Sequence, residues 1–335
     1  MDLHNPLPDT ERALALRDRV DGKLREALTY TCSQIASAYP EHAALLDLAD
    51  RLGDAERLGG MAYVLNDRLV AAIEDDDDKL LERTVAAART WRAPIQGLQI
   101  SALFDGDAPY QHDTLYFDVC DEGMRSTYGS FFDAQPLTME QRMTSKRALT
   151  RALERWATID PLGYAEAQAS IDMFKLIQSH TINAGSSITT LGMVRVSHLK
   201  PEQRWTRYLE MAAHEAGHQI LNLIMTEDPL IDNMDETLYT SPIRADPRPL
   251  SGILHAYFVI ARTLRLKDLL VNHGSYDPEQ DALLTGYNNS RNPAGFQEKF
   301  DDCHKTLKEH ARFTEVGQRM FNATNEAVYD QFISQ

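Results

Sequence analysis

The chain has 335 residues, with 34 Lys and Arg against 50 Asp and Glu, for a formal charge of -16. Hydrophobic residues make up 43% and charged residues 25%, enough apolar content to bury a core, so global disorder is excluded. The acidic balance argues against a nucleic-acid binder, which needs a basic face to neutralise phosphates.

At about 150 residues per domain the length allows two domains or one large one. Met1 to Pro6 has no basic region leading into an apolar run, so no signal peptide is expected. No uninterrupted apolar stretch approaches the ~18 residues of a membrane span. Residues 8–90 read as helical, rich in Ala, Leu, Arg and Glu, with Leu14, Val20, Leu24 and Leu28 at helical spacing and Asp9 or Thr10 as a cap. Glu74 to Asp78 is an acidic run that reads either as a docking site for a basic peptide or, preferably, as a solvated turn between helices. After Trp91 the composition changes, and 94–100 and 114–119 alternate in part, which predicts strands. Gly123, Gly129 and Pro136 mark loops; helices are expected over 138–156 and 164–177. Asn183 to Ser187 is a turn signal, and Gly192 to Ser197 reads as a strand. The division expected is a helical region over 1–90 and a mixed region over 91–335, or one compact unit. Cys32, Cys120 and Cys303 are odd in number, widely spaced and without a CxxC pair. A disulfide framework or structural zinc site is therefore not expected, and a reducing cytoplasm suits them.

The motif that carries chemistry lies in a helical stretch over 201–225: His214-Glu215-Ala216-Gly217-His218, an HExxH. Four residues on a helix put both imidazoles on one face, one turn apart, where they can meet one metal ion. Glu215 lies within possible reach of a metal-bound water. Two histidines and a glutamate in a buried helix would be costly without such a purpose.

The third ligand decides the chemistry. A metzincin needs Gly and His at positions occupied by Leu221 and Ile224, so that class is excluded. Glu236 is the nearest candidate for a gluzincin but sits in a loop-like stretch. The other candidate is His255, in an apolar helix expected after Asp246-Pro247-Arg248-Pro249. Arg248, His255 and Arg262 are seven residues apart, so they share a face if one helix includes them all. An arginine near a three-histidine metal suits a carboxylate co-substrate, because the guanidinium fork makes two parallel hydrogen bonds to it. Arg244 is a further candidate.

Several of these elements together resemble a known family. HExxH is followed by Leu221-Asn222, then Asp228-Pro229-Leu230. Next come Tyr239-x-Ser241-Pro242-x-Arg244 and Asp246-Pro247-Arg248-Pro249-Leu250-x-Gly252. This pattern resembles the HExxH proteins of peptide natural-product gene clusters, among them 2-oxoglutarate-dependent peptide β-hydroxylases, over residues 184–265. The resemblance implies a cytoplasmic oxygenase with Fe(II) on His214, His218 and His255, and 2-oxoglutarate and O2 as co-substrates. It further implies a precursor peptide as substrate, hydroxylated at a β-carbon. Arg248, then Arg244, then Arg262 are the candidates for holding the distal carboxylate of 2-oxoglutarate. Glu215 would orient a ligand or a bound water.

The fold expected is α+β, predominantly helical, with a zincin-like HExxH helix beside a small antiparallel sheet. The Gly192–Ser197 strand would be its edge, open to an extended peptide. The competing activity is a zinc metallopeptidase with Glu215 as general base. A precursor-binding protein carrying a relic motif is the non-enzymatic alternative. Neither nucleic acid nor membrane is an expected partner, and the N-terminal helical region is expected to help recruit the peptide.

Overall fold

The computed structural model describes residues 2–105, 110–199, 205–234, 237–244, 246–274 and 295–332. The Ala- and Leu-rich start forms four helices: α1 (Thr10–Ala38), α2 (Ala44–Asp54), α3 (Gly60–Glu74) and α4 (Asp78–Thr90). Asp9 stops α1 from fraying by accepting from the Arg12 amide at 2.9 Å. Its buried row runs Leu16, Val20, Leu24, Leu28, Cys32 and Ile35, whereas Leu14 is 47% exposed. The acidic run is the turn between α3 and α4. Asp76 sits at φ 53°, a region short polar side chains tolerate, and Asp77 caps α4 by accepting from the Leu80 amide.

Contacts divide the chain into two units. The first, the sheet unit, comprises Ala15–Lys146 and Ser170–Leu199. It holds β1 (Gln99–Ala102), β2 (Met173–Ile177), β3 (Ala184–Ser186) and β4 (Met193–Ser197) in the order β1-β2-β4-β3. The expectation of an antiparallel sheet is corrected: β1, β2 and β4 are parallel, and only β3 runs antiparallel, against β4. Parallel pairing needs a long crossover. Between β1 and β2 the chain passes through α5 (Tyr110–Tyr128), α6 (Met139–Ile159) and α7 (Pro161–Ser170). The Gly192–Ser197 strand exists, but as interior β4, paired on both sides and buried along its whole length, so it offers no open edge.

The expected strand over 114–119 is also corrected, because those residues lie inside α5. Leu115, Tyr116, Val119 and Cys120 are its buried face, a helical repeat that packing selects over the β propensity of Tyr, Phe and Val. Likewise the helix expected over 164–177 ends at Ser170, and 173–177 is β2, buried at four of its five positions.

Charges buried in this unit carry partners. Lys175 in β2 donates to Asp113 at 2.7 Å, and Asp113 also accepts from the Phe104 amide. Arg17 bridges Asp21 at 2.9 Å and Asp172 at 2.8 Å, and Arg57 adds a second contact to Asp172. Asp21 takes further hydrogen bonds from the Tyr63 hydroxyl and the Leu58 amide. Gly192, at φ 89°, lies beneath this cluster, where a Cβ would stand 2.1 Å from Asp172.

The second, the histidine unit, comprises Met1–Leu14, Arg147–Ala169 and Lys200–Gln335. Its centre is α8 (Trp205–Met225) against α9 (Leu250–Asn272). Gly217 allows the close approach, since a Cβ there would lie 3.2 Å from Val259 Cγ2. A two-stranded antiparallel ribbon, β5 (Leu238–Tyr239) with β6 (Arg248–Pro249), leads into α9. Helices Phe296–His310 and Glu315–Glu326 complete the unit, with Tyr257 stacked on Phe300 at 4.6 Å and bonded to the Phe321 carbonyl.

The chain is therefore predominantly helical with a small sheet. The four-stranded sheet belongs to one unit, and the HExxH helix to the other, with the antiparallel β5–β6 ribbon. No helix among the described residues is long and apolar enough to cross a membrane.

Candidate metal centre

α8 carries the motif on a helix whose Leu209, Ile220, Leu221 and Ile224 are buried. His214 and His218 face each other with Nε2 to Nε2 at 3.2 Å. α9 brings His255 to the other side of His218: the two rings stack at 5.2 Å, with Nδ1 to Nδ1 at 3.0 Å. Thus two helices separated by a connection of 24 residues, numbers 226–249, assemble three imidazoles. His214 is 8% exposed, while His218 and His255 are partly open.

Burial favours the neutral form of all three. His214 is held well below its usual pKa by burial, then by His218, Arg207 and Arg244. His218 is lowered to about 4 by burial and Arg244. His255 is lowered to about 3 by burial and His218. A neutral imidazole has a free lone pair on one nitrogen, the form that binds metals. The donor set therefore fits a divalent transition ion such as iron or zinc. His218, however, meets His214 with Nε2 and His255 with Nδ1, so the three do not point at one position. Joint ligation needs a rotation of the His218 side chain. Among the described residues no group of three or more His, Cys, Asp or Glu side chains stands in ligating geometry.

The other anticipated residues separate clearly. Glu215 is 4% exposed on α8, adjacent to His214 in the chain. Arg244 is exposed, and its charge reaches both His214 and His218. Arg248 lies in β6, before α9 begins at Leu250, so the seven-residue face holds for His255 and Arg262 alone. Arg248 contacts Asp246 at 3.2 Å, and Pro249 is the capping residue of α9. Arg262 is drawn away to Glu166, which also binds Arg12, and it lies over the Phe258 ring at 5.0 Å. Neither Arg248 nor Arg262 is among the charges acting on the three histidines. Glu236 lies outside the described residues.

Two residues escaped the sequence reading. Glu210 is fully buried one turn before His214, with one oxygen 3.8 Å from His214 Nδ1 and the other accepting from Arg207 at 2.5 Å. A carboxylate on the far nitrogen of a ligating histidine fixes the ring and raises its basicity. The signal was present: residues 207, 210 and 214 follow i, i+3, i+7 spacing on one helical face.

No family model matches the chain, and comparison with curated proteins likewise gives no match.

Proposed function

We propose that this protein is an iron(II)- and 2-oxoglutarate-dependent oxygenase that hydroxylates a β-carbon of a ribosomally made precursor peptide. The observation that carries the reading is His255 against His218, with Nδ1 to Nδ1 at 3.0 Å, next to the HExxH pair. A third histidine in place of a carboxylate, with an arginine charge in reach, suits a carboxylate-bearing co-substrate better than hydrolysis of a peptide bond. Iron(II), when bound, supplies the activation of dioxygen coupled to oxidative decarboxylation of 2-oxoglutarate.

The chain's own residues hold and orient. His214, His218 and His255 present neutral nitrogens without having to shed a proton at neutral pH. Glu210 stands 3.8 Å from His214 Nδ1, and Arg207 holds Glu210. Arg244 takes the distal carboxylate of 2-oxoglutarate and ranks before Arg248 and Arg262, because its charge alone of the three reaches the histidines. Glu215 orients a ligand or water by hydrogen bonding. Three buried cysteines, Cys32, Cys120 and Cys303, are free thiols, consistent with the reducing cytoplasm that iron(II) chemistry favours.

Anaerobic addition of iron(II) and then 2-oxoglutarate tests the reading. A weak visible charge-transfer band is expected, absent in His255→Ala. Peptide cleavage with zinc, with no band and no use of 2-oxoglutarate, would instead establish the peptidase with Glu215 as base.

A further inference from the structure

Helix α6 carries a row of charge that the preceding chemistry does not use. Within the histidine unit its outward residues are Arg147, Thr150, Arg151, Glu154, Arg155 and Thr158, all exposed, while Leu149, Ala152, Leu153 and Trp156 are buried. Arg147, Arg151 and Arg155 repeat at i, i+4 and i+8. Among the described residues none of the three has an ion pair or hydrogen-bond partner, in a chain with 50 acidic residues against 34 basic. Like charges four residues apart cost a helix about 0.2–0.5 kcal/mol per pair, offset here in part by Glu154 three residues after Arg151.

We propose that this face docks an acidic segment of the peptide substrate, away from the carbon that reacts. The inference rests on the peptide reading for the identity of the partner. At a rise of about 1.5 Å per residue, neighbouring arginines stand about 6 Å apart along the axis. Carboxylates recur at that interval at every fourth residue of a helical peptide, or at close to it at every second residue of an extended one. Guanidinium groups bind carboxylates through paired hydrogen bonds, so spacing and charge both match.

Other anionic partners fit less well. Thr150, Glu154 and Thr158 flank the arginines with no aromatic ring for a base to stack on, and the exposed apolar side chains of α6, Met139 and Met143, lie two turns and one turn before Arg147. Glu154 stands within the row, where a continuous polyanion meets repulsion and a peptide can place a neutral or basic residue.

The test uses the full chain without added metal and a fluorescein-labelled peptide of about 15 residues with Glu at every fourth position, read by fluorescence anisotropy. Its Gln counterpart is expected to bind about tenfold more weakly, and R147Q/R151Q/R155Q to lose about tenfold for the Glu peptide, with both differences shrinking as salt rises. H214A/H218A should leave affinity unchanged, which separates this surface from the metal reading. R147E/R151E/R155E should bind a Lys counterpart in preference to the Glu peptide, which controls for misfolding. Unchanged affinity in R147Q/R151Q/R155Q, or equal binding of the Glu and Gln peptides, overturns the proposal. So does tighter binding of single-stranded RNA or anionic phospholipid vesicles through the same arginines.

Discussion

A buried polar cluster in the sheet unit and one in the histidine unit are built on opposite terms. In the sheet unit Arg17 is clamped between Asp21 and Asp172, and those carboxylates are filled further by Arg57, Tyr63 and the Leu58 amide. Opposite charges answer one another there, and Arg17 is held protonated, its pKa raised by both aspartates against the opposing effect of burial. In the histidine unit three imidazoles of the same kind crowd together, and burial drives each toward neutrality. A saturated cluster of opposite charges locks a fold. A cluster of like, neutral imidazoles holds its nitrogens close together through contacts of 3.0 and 3.2 Å, without opposite charges to lock it.

The largest effect on stability should come from Arg17→Met. It removes the cation shared by two buried aspartates, leaving them Arg57, Tyr63 and the Leu58 amide, and should cost about 3 kcal/mol in urea or thermal unfolding, while the protein that remains folded still binds iron. His255→Ala should do the reverse. Loss of one donor of three is expected to weaken iron by about a thousandfold, roughly 4 kcal/mol, with little change in the melting curve of the metal-free protein. Equal loss of stability in the two variants would erase the distinction.

Arg244→Ala comes next. Removing a charge-assisted carboxylate contact should weaken 2-oxoglutarate by about 30- to 1,000-fold, or ~2–4 kcal/mol, with iron affinity preserved. Arg244→Lys keeps the charge but loses the fork, so an intermediate KM for 2-oxoglutarate is expected. A normal KM in both, with a raised KM in Arg248→Lys, would move the co-substrate to the β6 arginine.

The smallest effect per step is that of pH. Below about pH 6.5 the unfolded chain protonates its histidines, whereas His218 and His255 in the fold resist until about 4 and about 3. The unfolded state then binds more protons, so stability of the metal-free protein falls as pH drops from 6.5, by up to about 1.4 kcal/mol per pH unit for each. The fall should be shallower in His255→Ala, and iron at neutral pH should raise the melting temperature of the parent alone. A flat profile between pH 6.5 and 4 would mean that the imidazoles are not shielded from water.

What the sequence determined by itself is local. A period of 3.6 residues placed His214 and His218 on one face of a helix, and made 10–38 and 250–272 helical. Short-range polar chemistry made 74–78 a turn, because Asp77 accepts from the Leu80 amide in the first turn of α4. The tertiary structure decided everything that depends on which distant surfaces meet. Residues 114–119 have strand-like composition, yet they are helical because Leu115, Tyr116, Val119 and Cys120 are buried together. The Gly192–Ser197 strand was legible, but its interior place was not, since that depends on β2 and β3 taking both of its edges. His255 could be named as a candidate from its apolar helix, but only the closeness of α8 and α9 at Gly217 and Val259 puts it 3.0 Å from His218. The arginines show the same limit: spacing favoured Arg248 and Arg262, whereas in the fold Arg248 pairs with Asp246 and Arg262 with Glu166, and of the three it is Arg244 whose charge acts on His214 and His218. Periodicity is a property of the chain, but partners far apart in sequence are chosen by packing.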